Sequence, residues 1–278
     1  MIRDARQLKA KIQQLTKSDS QKSQIYLRNF FMERFLERIS QSPYQKKFLL
    51  KGGLLIASLV GLDLRSTMDI DSTIKNLSFN EKEAVKIIRD IMETPLDDHV
   101  VFDITKHSSI MGEHDYPGFR FMLQGSFDGI RQAIRIDLTT GDVITPRAVS
   151  YGYRLMFENR IIKLMTYNLE TLLAEKMETM IARGTANTRM RDFYDIYLLT
   201  DRKPFDLSTL RKAILNTSRK RGTEDLLANF SSIMSGVAES PTMETAWNNF
   251  KKQSYYVGDL PWNEVITECL ILCEKVLS

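Results

Sequence analysis

The composition of this chain of 278 residues is that of an ordinary globular protein. Hydrophobic residues make up 43% and charged residues 27%, which is enough apolar material for one or two domains with a core. No apolar run approaches the ~20 residues of a membrane-spanning helix, and the charged start lacks the apolar stretch of a secretory signal, so we expect a cytoplasmic protein. The formal charge of +4 allows an anionic partner without requiring one.

The first half of the chain is predicted to combine helices and strands. Residues 1–40 carry apolar side chains at helical spacing, and a second apolar helix is predicted over residues 54–62. Strand-like alternation follows at residues 68–74, and a helix capped by Asn80 is predicted over residues 80–93. Three further β-type segments are predicted at residues 100–105, 119–124 and 132–138.

From Asn168 onward the pattern is nearly all helical. Breaks in this pattern are predicted at Gly184, Pro204, Gly222, Gly236, Pro241 and Gly258-Asp259. Cys269 and Cys273 lie four residues apart on a helical pattern, so they are expected to pack as small hydrophobic side chains rather than bind zinc. The order of elements predicts an α+β domain with a mixed sheet over residues 1–165 and a helical domain over residues 166–278.

Three carboxylates stand on predicted strands. Asp69 and Asp71 are two residues apart, and side chains at that spacing point to the same face of a strand. Asp137 alternates with the apolar Ile136 and Leu138, so it projects from the face opposite to theirs. A divalent cation would remove the repulsion between such carboxylates, whereas a solvated strand edge is the alternative for an isolated pair.

The glycine pair Gly52-Gly53 lies upstream of these carboxylates, between an apolar segment and a predicted helix. Glycine lets backbone N–H groups approach a phosphate closely, and the N-terminus of a helix favours its negative charge. Two carboxylates with a distant third can hold two metal ions for in-line phosphoryl chemistry. The combination therefore predicts a metal-dependent site for phosphoryl chemistry.

These motifs resemble the nucleotidyltransferase fold of the DNA polymerase beta superfamily. More narrowly, the chain resembles the AbiEii family, the toxin component of type IV abortive-infection toxin–antitoxin systems, which act in phage defence. Gly53 stands where many relatives carry Ser, and Met177 stands where Leu is usual. The segments that carry the resemblance are residues 51–53, 65–71, 175–183 and 189–198.

The resemblance implies transfer of a nucleotidyl group from a nucleoside triphosphate, with Mg²⁺ or Mn²⁺ as cofactor and pyrophosphate as leaving group. Asp69, Asp71 and Asp137 are expected to bind the metal, and Asp137 to help activate the attacking hydroxyl. The residues expected to take part in catalysis are Asp69, Asp71, Asp137, Lys176 and Asp195. Those expected to bind the nucleotide are Lys51, Gly52, Gly53, Lys176, Arg183 and Asp192.

Two motifs in the helical half have more than one interpretation. Lys176 and Arg183 lie two helical turns apart on one side, where Lys176 could neutralise the leaving pyrophosphate or both could form a solvated cationic stripe. Asp192 and Asp195 could orient Lys176 or Arg183, bind substrate directly, or form a local salt-bridge network with neighbouring arginines.

The acceptor implied by the resemblance is RNA, chiefly the 3′ end of tRNA, and the implied partner is a separately encoded antitoxin that represses the operon. The basic runs Arg211-Lys212 and Arg219-Lys220-Arg221 could hold an RNA backbone or form a solvated face. Two other functions remain open: a small-molecule nucleotidyltransferase that modifies an antibiotic, and an inert nucleotide- or RNA-binding module on the same fold.

Overall fold

The computed structural model describes residues 2–75, 80–111 and 117–278. The chain divides into two compact units, the first formed by Met1–Asp142 with Val149–Thr166 and the second by Val143–Ala148 with Tyr167–Ser278. The sequence prediction placed the boundary after residue 165 and assigned all of residues 143–148 to the first domain. Within the described ranges, no helix is both long and apolar enough to cross a membrane.

The first unit is built on a seven-stranded sheet with strand order β3-β4-β5-β2-β1-β7-β6. The pairs β2–β5 and β1–β7 are parallel and the other pairs are antiparallel, so the predicted α+β fold with a mixed sheet is confirmed. Its elements are α1 Ala5–Thr16, α2 Ser20–Gln41, β1 Phe48–Lys51, α3 Gly52–Val60, β2 Asp69–Ile74, α4 Glu81–Met92, β3 Val101–Met111, β4 Pro117–Phe127, β5 Ile130–Thr140, β6 Val149–Arg154 and β7 Ile161–Thr166.

The helical pattern predicted over residues 1–40 is formed by two helices, because the chain turns between α1 and α2. Lys17 and Ser18 adopt left-handed backbone angles, with φ of 50° and 63°. Asp19 then begins α2 by accepting a hydrogen bond from the N–H of Lys22. Apolar periodicity continues across this turn, which is why the sequence suggested one helix. The predicted cap of α4 is confirmed, since the Asn80 side chain accepts from the N–H of Glu83.

Strands β6 and β7 were not predicted from the sequence. β6 is an edge strand that pairs only with β7 in the described sheet, and Tyr153 is its one buried side chain. A strand with so little buried surface gives almost no alternating signal. β7 joins the sheet by parallel pairing with β1, where Leu49 lies opposite Met165. That pairing is a long-range contact which local periodicity does not encode.

The second unit is helical. Its helices are α5 Leu169–Arg183, α6 Met190–Arg202, α7 Leu207–Arg221, α8 Glu224–Ala228, α9 Phe230–Glu239, α10 Pro241–Gln253 and α11 Trp262–Leu277. Gly184 and Gly222 end α5 and α7 as predicted, but the break predicted at Gly236 is wrong. Gly236 lies inside α9, where Met234 and Val237 are buried and stabilise the helix by packing. Cys269 and Cys273 are free and buried, as predicted.

Candidate active site

Three carboxylates share one face of the sheet in the first unit. β2 and β5 run parallel and adjacent, with Asp71 opposite Asp137 and Asp69 opposite Arg135. Adjacent strands lie about 4.8 Å apart, and alternate residues of each strand share a face. Ile70 and Ile136, which alternate with these carboxylates, are fully buried on the opposite face. The structure therefore brings together the three acids that the sequence pattern selected.

Two arginines of the same sheet face neutralise two of these acids. Arg120, on β4, donates from Nε to Oδ1 of Asp137 at 2.8 Å and from Nη2 to Oδ2 at 2.7 Å. Arg135, on β5, donates to Asp69, and its Nε lies 4.0 Å from Oδ2 of Asp137. The hydrogen bonds that Arg120 donates to Asp137 raise the pKa of the Arg120 side chain. The guanidinium groups thus lie directly against the acidic cluster.

The negative charges of the three acids still repel one another despite these arginines. Burial raises the pKa of Asp69, Arg135 lowers it, and the charges of Asp71 and Asp137 raise it further. The net effect is a raised pKa, so ionised Asp69 is held at some electrostatic cost. A small cation with oxygen ligands would relieve that cost.

The three carboxylates have the ligand chemistry of a divalent metal site but not its arrangement. Carboxylate oxygens are the ligands that Mg²⁺ and Mn²⁺ prefer, and the register places three such side chains on adjacent strands. Among the residues that the structure describes, however, no group of three or more His, Cys, Asp or Glu side chains is arranged to hold a metal ion. The carboxylates of Asp69 and Asp137 instead contact Arg135 and Arg120. The three residues therefore fit a metal ion in chemical kind, and two of them are paired with arginines in this arrangement.

Gly52 allows Asp71 to approach the start of α3. Its φ is +62°, and a Cβ atom there would collide with the side chain of Asp71. The N–H of Gly53 donates to Oδ2 of Asp71 at 3.4 Å, which is a long hydrogen bond. The turn therefore requires glycine both for its backbone angle and for the close carboxylate. It also places the first N–H groups of α3 next to the acidic cluster.

The departure at Gly53 has a steric explanation. A Cβ atom at Gly53 would lie 2.8 Å from Oγ1 of Thr67 and 3.0 Å from Nη2 of Arg65. Thr67 and Arg65 are both buried, so they have little room to move. The space that a serine side chain would need at this position is thus filled by a threonine hydroxyl and a guanidinium group. Lys51, the residue before the pair, forms an ion pair with Asp142.

The residues predicted in the helical half form a cluster within the second unit. Nζ of Lys176, on α5, lies 2.6 Å from Oδ1 of Asp192 and 2.8 Å from Oδ2 of Asp195, both on α6. Asp195 is fully buried, and Lys176 and Asp192 are 12% and 14% exposed. Of the sequence alternatives, the geometry agrees with acids that orient Lys176. Arg183, at the end of the same helix, is half-buried.

The basic run 219–221 combines one inward-facing arginine with two exposed cations. Arg221 lies against Glu178 and Glu175 and donates to Oγ1 of Thr179 at 3.1 Å. Its side chain is 14% exposed and that of Glu178 is 1% exposed, so this pair joins α7 to α5 inside the unit. Arg219 is exposed and pairs with Glu224 at 3.2 Å. Arg221 therefore faces inward and contributes little to a cationic surface along this run.

Sequence reasoning missed the two arginines of the acidic cluster. Arg135 is two residues before Asp137 on an alternating strand, so the same periodicity that selected Asp137 placed Arg135 on its face. That signal was available from the sequence. Arg120 gave no comparable signal, since only the pairing of β4 with β5 sets it opposite Asp137.

Comparison with known proteins supplies a family and a fold. Residues 34–268 match the family described as the nucleotidyl transferase AbiEii toxin of type IV toxin–antitoxin systems. A crystal structure from Helicobacter pylori described as a candidate nucleotidyltransferase is 13% identical, with a TM-score of 0.52 over 91% of this chain and 94% of that chain. The crystal structure of JHP933 from Helicobacter pylori is 14% identical, with the same TM-score over 91% of each chain. At these identities the two structures show the fold alone. No curated protein sequence matches the chain.

Proposed function

The chain belongs to the AbiEii family of nucleotidyl transferase toxins of type IV toxin–antitoxin systems, and from this premise we propose that it transfers a nucleotidyl group from a nucleoside triphosphate to RNA in a reaction that depends on Mg²⁺ or Mn²⁺. The family implies a nucleotide substrate and an antitoxin partner. The observation that carries the proposal is the sheet face on which Asp69, Asp71 and Asp137 meet beside the Gly52 turn.

Asp69, Asp71 and Asp137 would hold the divalent cation. When bound, such a cation supplies positive charge where negative charge develops on the transferred phosphoryl group. Asp137 lies opposite Asp71 on the adjacent strand, and it would also take the proton of the attacking hydroxyl once Arg120 no longer occupies its two oxygens. The first N–H groups of α3, at Gly52 and Gly53, are placed to donate to a phosphate oxygen of the donor.

Lys176 is proposed to bind the leaving pyrophosphate. Its two carboxylate partners, Asp192 and Asp195, restrict the position of Nζ. A preorganised cation at a developing anion contributes more than a mobile one, because no energy is spent on ordering it during the reaction. Asp192 and Asp195 act in this proposal as positioning residues.

RNA is favoured as the acceptor over an antibiotic by the description of the family. A toxin that inhibits growth must modify a component of the cell, whereas an enzyme that inactivates an antibiotic protects it. The tRNA 3′ end offers an exposed hydroxyl, the nucleophile that this chemistry requires. The acceptor phosphates need cationic partners, and the outer face of the sheet carries arginines next to Asp137.

The function is tested by incubating the purified protein with total RNA, Mg²⁺ or Mn²⁺, and each of four α-labelled nucleoside triphosphates in turn. We expect label in the tRNA size range with at least one nucleotide, and none with Asp71→Asn. A parallel reaction replaces RNA with aminoglycoside antibiotics. Label on the small molecule, with none on RNA, would show that the acceptor is an antibiotic and would contradict transfer to RNA. Nucleotide binding without transfer to either acceptor would support the inert binding module.

A further inference from the structure

The two arginines of the acidic cluster are more exposed than the acids they contact. Arg120 and Arg135 are 39% and 37% exposed, whereas Asp137 and Asp69 are 14% and 17% exposed. Ion pairs with a solvent-exposed partner contribute little net stability, since water replaces the lost contact. The guanidinium groups can therefore leave the carboxylates without unfolding the sheet.

Arg135 is also incompletely bonded in its present position. Its Nε atom is buried and has no hydrogen-bond partner within the described part of the chain. Arg120, in contrast, makes a two-pronged hydrogen bond with Asp137. Each guanidinium takes oxygens that a metal ion would need, and a divalent cation attracts a carboxylate more strongly than a single positive charge does. Arg120 bonds to both oxygens of Asp137 and Arg135 bonds to Oδ2 of Asp69, so a cation at these carboxylates would compete with the arginines for those oxygens.

We propose that Arg120 and Arg135 hold Asp69 and Asp137 only while the divalent cation is absent, and that in the cation-loaded protein their guanidinium groups bind phosphate oxygens of the substrate. This inference rests on the proposed function and deepens it. Guanidinium groups bind phosphate with the same two-pronged geometry as carboxylate, so each arginine exchanges one anion for another. Binding of the cation then frees the two arginines for the substrate phosphates, so that cation binding and phosphate binding are coupled.

The sheet face of the two arginines also carries Lys106, an exposed cation with which a phosphate can pair. On this face Met122 lies opposite Arg135 and Ser108 lies opposite Arg120. Arg131 and Asp103 lie further along the same face and are exposed. The phosphate belongs either to the donor triphosphate or to the acceptor backbone, and the two sources are separated by experiment.

The exchange is tested first by Mn²⁺ binding, measured by calorimetry on the whole protein without nucleotide. Arg120→Gln and Arg135→Gln should each bind Mn²⁺ about tenfold more tightly than the unmodified protein, since ~1.4 kcal/mol of competition is removed. Arg131→Gln is the matched control, because it removes the same charge from the same strand face about 13 Å from Arg135. Arg120→Lys and Arg135→Lys keep the charge without the two-pronged geometry and should give intermediate affinities.

Each outcome of the first test decides the exchange. Tighter binding in the two glutamine variants with an unchanged control supports it. Equal tightening in all three variants would mean a general charge effect and would overturn it, as would unchanged or weaker binding in Arg135→Gln. A thermal melt without metal checks that the variants are folded. Failure of the unmodified protein to bind Mn²⁺ would instead refute the proposed function.

The second test measures phosphate binding in the Mn²⁺-saturated protein. An α,β-methylene nucleoside triphosphate and a single-stranded oligoribonucleotide are titrated separately into each variant. We expect at least one ligand to bind about tenfold more weakly to Arg120→Gln and Arg135→Gln, on the scale of one charge-assisted contact. Loss confined to the nucleotide identifies the donor as the phosphate source, and loss confined to the oligonucleotide identifies the acceptor. Unchanged affinity for both ligands would overturn phosphate binding by these arginines.

Discussion

The acidic cluster of the first unit and the Lys176 cluster of the second unit are built from the same kind of contact but differ in burial. Arg120 and Arg135 lie partly in solvent beside their acids, whereas Lys176 pairs with the fully buried Asp195. An exposed pair is easily exchanged for another ligand, while breaking a buried pair leaves an uncompensated charge in the interior. The first cluster therefore suits ligand binding, and the second suits fixed positioning of one cation.

The largest effect is expected at Asp71. Asp71→Asn should lower nucleotidyl transfer by at least ~1,000-fold, because it removes a charge from the group that would hold the cation. The melting temperature should stay the same or rise, since a source of repulsion on Asp69 is lost. Asp103→Asn, on the same face of the sheet, is the control and should remain active. Substantial activity in Asp71→Asn would remove Asp71 from the proposed metal site.

Lys176→Ala tests the buried ion pair of the Lys176 cluster. We expect transfer to slow by at least ~100-fold, the scale of losing one preorganised charge. The free energy of unfolding should also fall by roughly 3 kcal/mol, because Asp195 loses a charged partner inside the unit. The double variant Lys176→Ala with Asp195→Asn should regain stability in urea denaturation but not activity. Recovery of activity in the double variant would argue against a role for Lys176 toward the donor.

Arg221 and Arg219 allow a buried ion pair and an exposed ion pair to be compared within one helix, α7. Arg221→Ala should lower the free energy of unfolding by about 2–3 kcal/mol, since Glu178 is left buried without this partner. Arg219→Ala should change it by less than ~1 kcal/mol, because its pair with Glu224 is solvated. Urea denaturation of both variants measures the difference. Equal small effects would mean that Arg221 does not join α7 to α5.

The last prediction concerns a buried acid of the first unit and appears only as a pH dependence. Burial raises the pKa of Glu33 to about 8 from 4.5, although the N–H of Met156 and the charge of Arg34 lower it. A raised carboxyl pKa stabilises the folded protein below pH 4.5, and this stability is lost as the pH rises through about 8. Between these two pH values the unmodified protein should lose roughly 1.4 kcal/mol of its free energy of unfolding per pH unit. Glu33→Gln should not show this loss, because glutamine does not ionise. The melting temperatures of both proteins are measured from pH 5 to 9. If the two melting temperatures changed with pH by the same amount, the raised pKa of Glu33 would be contradicted.

The amino-acid sequence by itself determined which face each acid occupies. Alternation on β2 and β5 requires Asp69, Asp71 and Asp137 to point away from the core formed by Ile70 and Ile136, whatever else the chain does. The motif resemblance likewise needed only local segments. Helices such as α5 and α11 followed from apolar spacing, since their buried faces are continuous along the chain.

The tertiary structure alone decided which residues meet across strands. The register that sets Asp71 opposite Asp137, and the pairing of β4 with β5 that brings Arg120 to Asp137, join segments distant in sequence. A shift of one residue would leave the pattern of each strand intact and change every partner. The inward direction of Arg221 depends in the same way on the packing of α7 against α5. Periodicity encodes the orientation of a side chain, whereas its neighbours are fixed by long-range pairing that no local pattern contains.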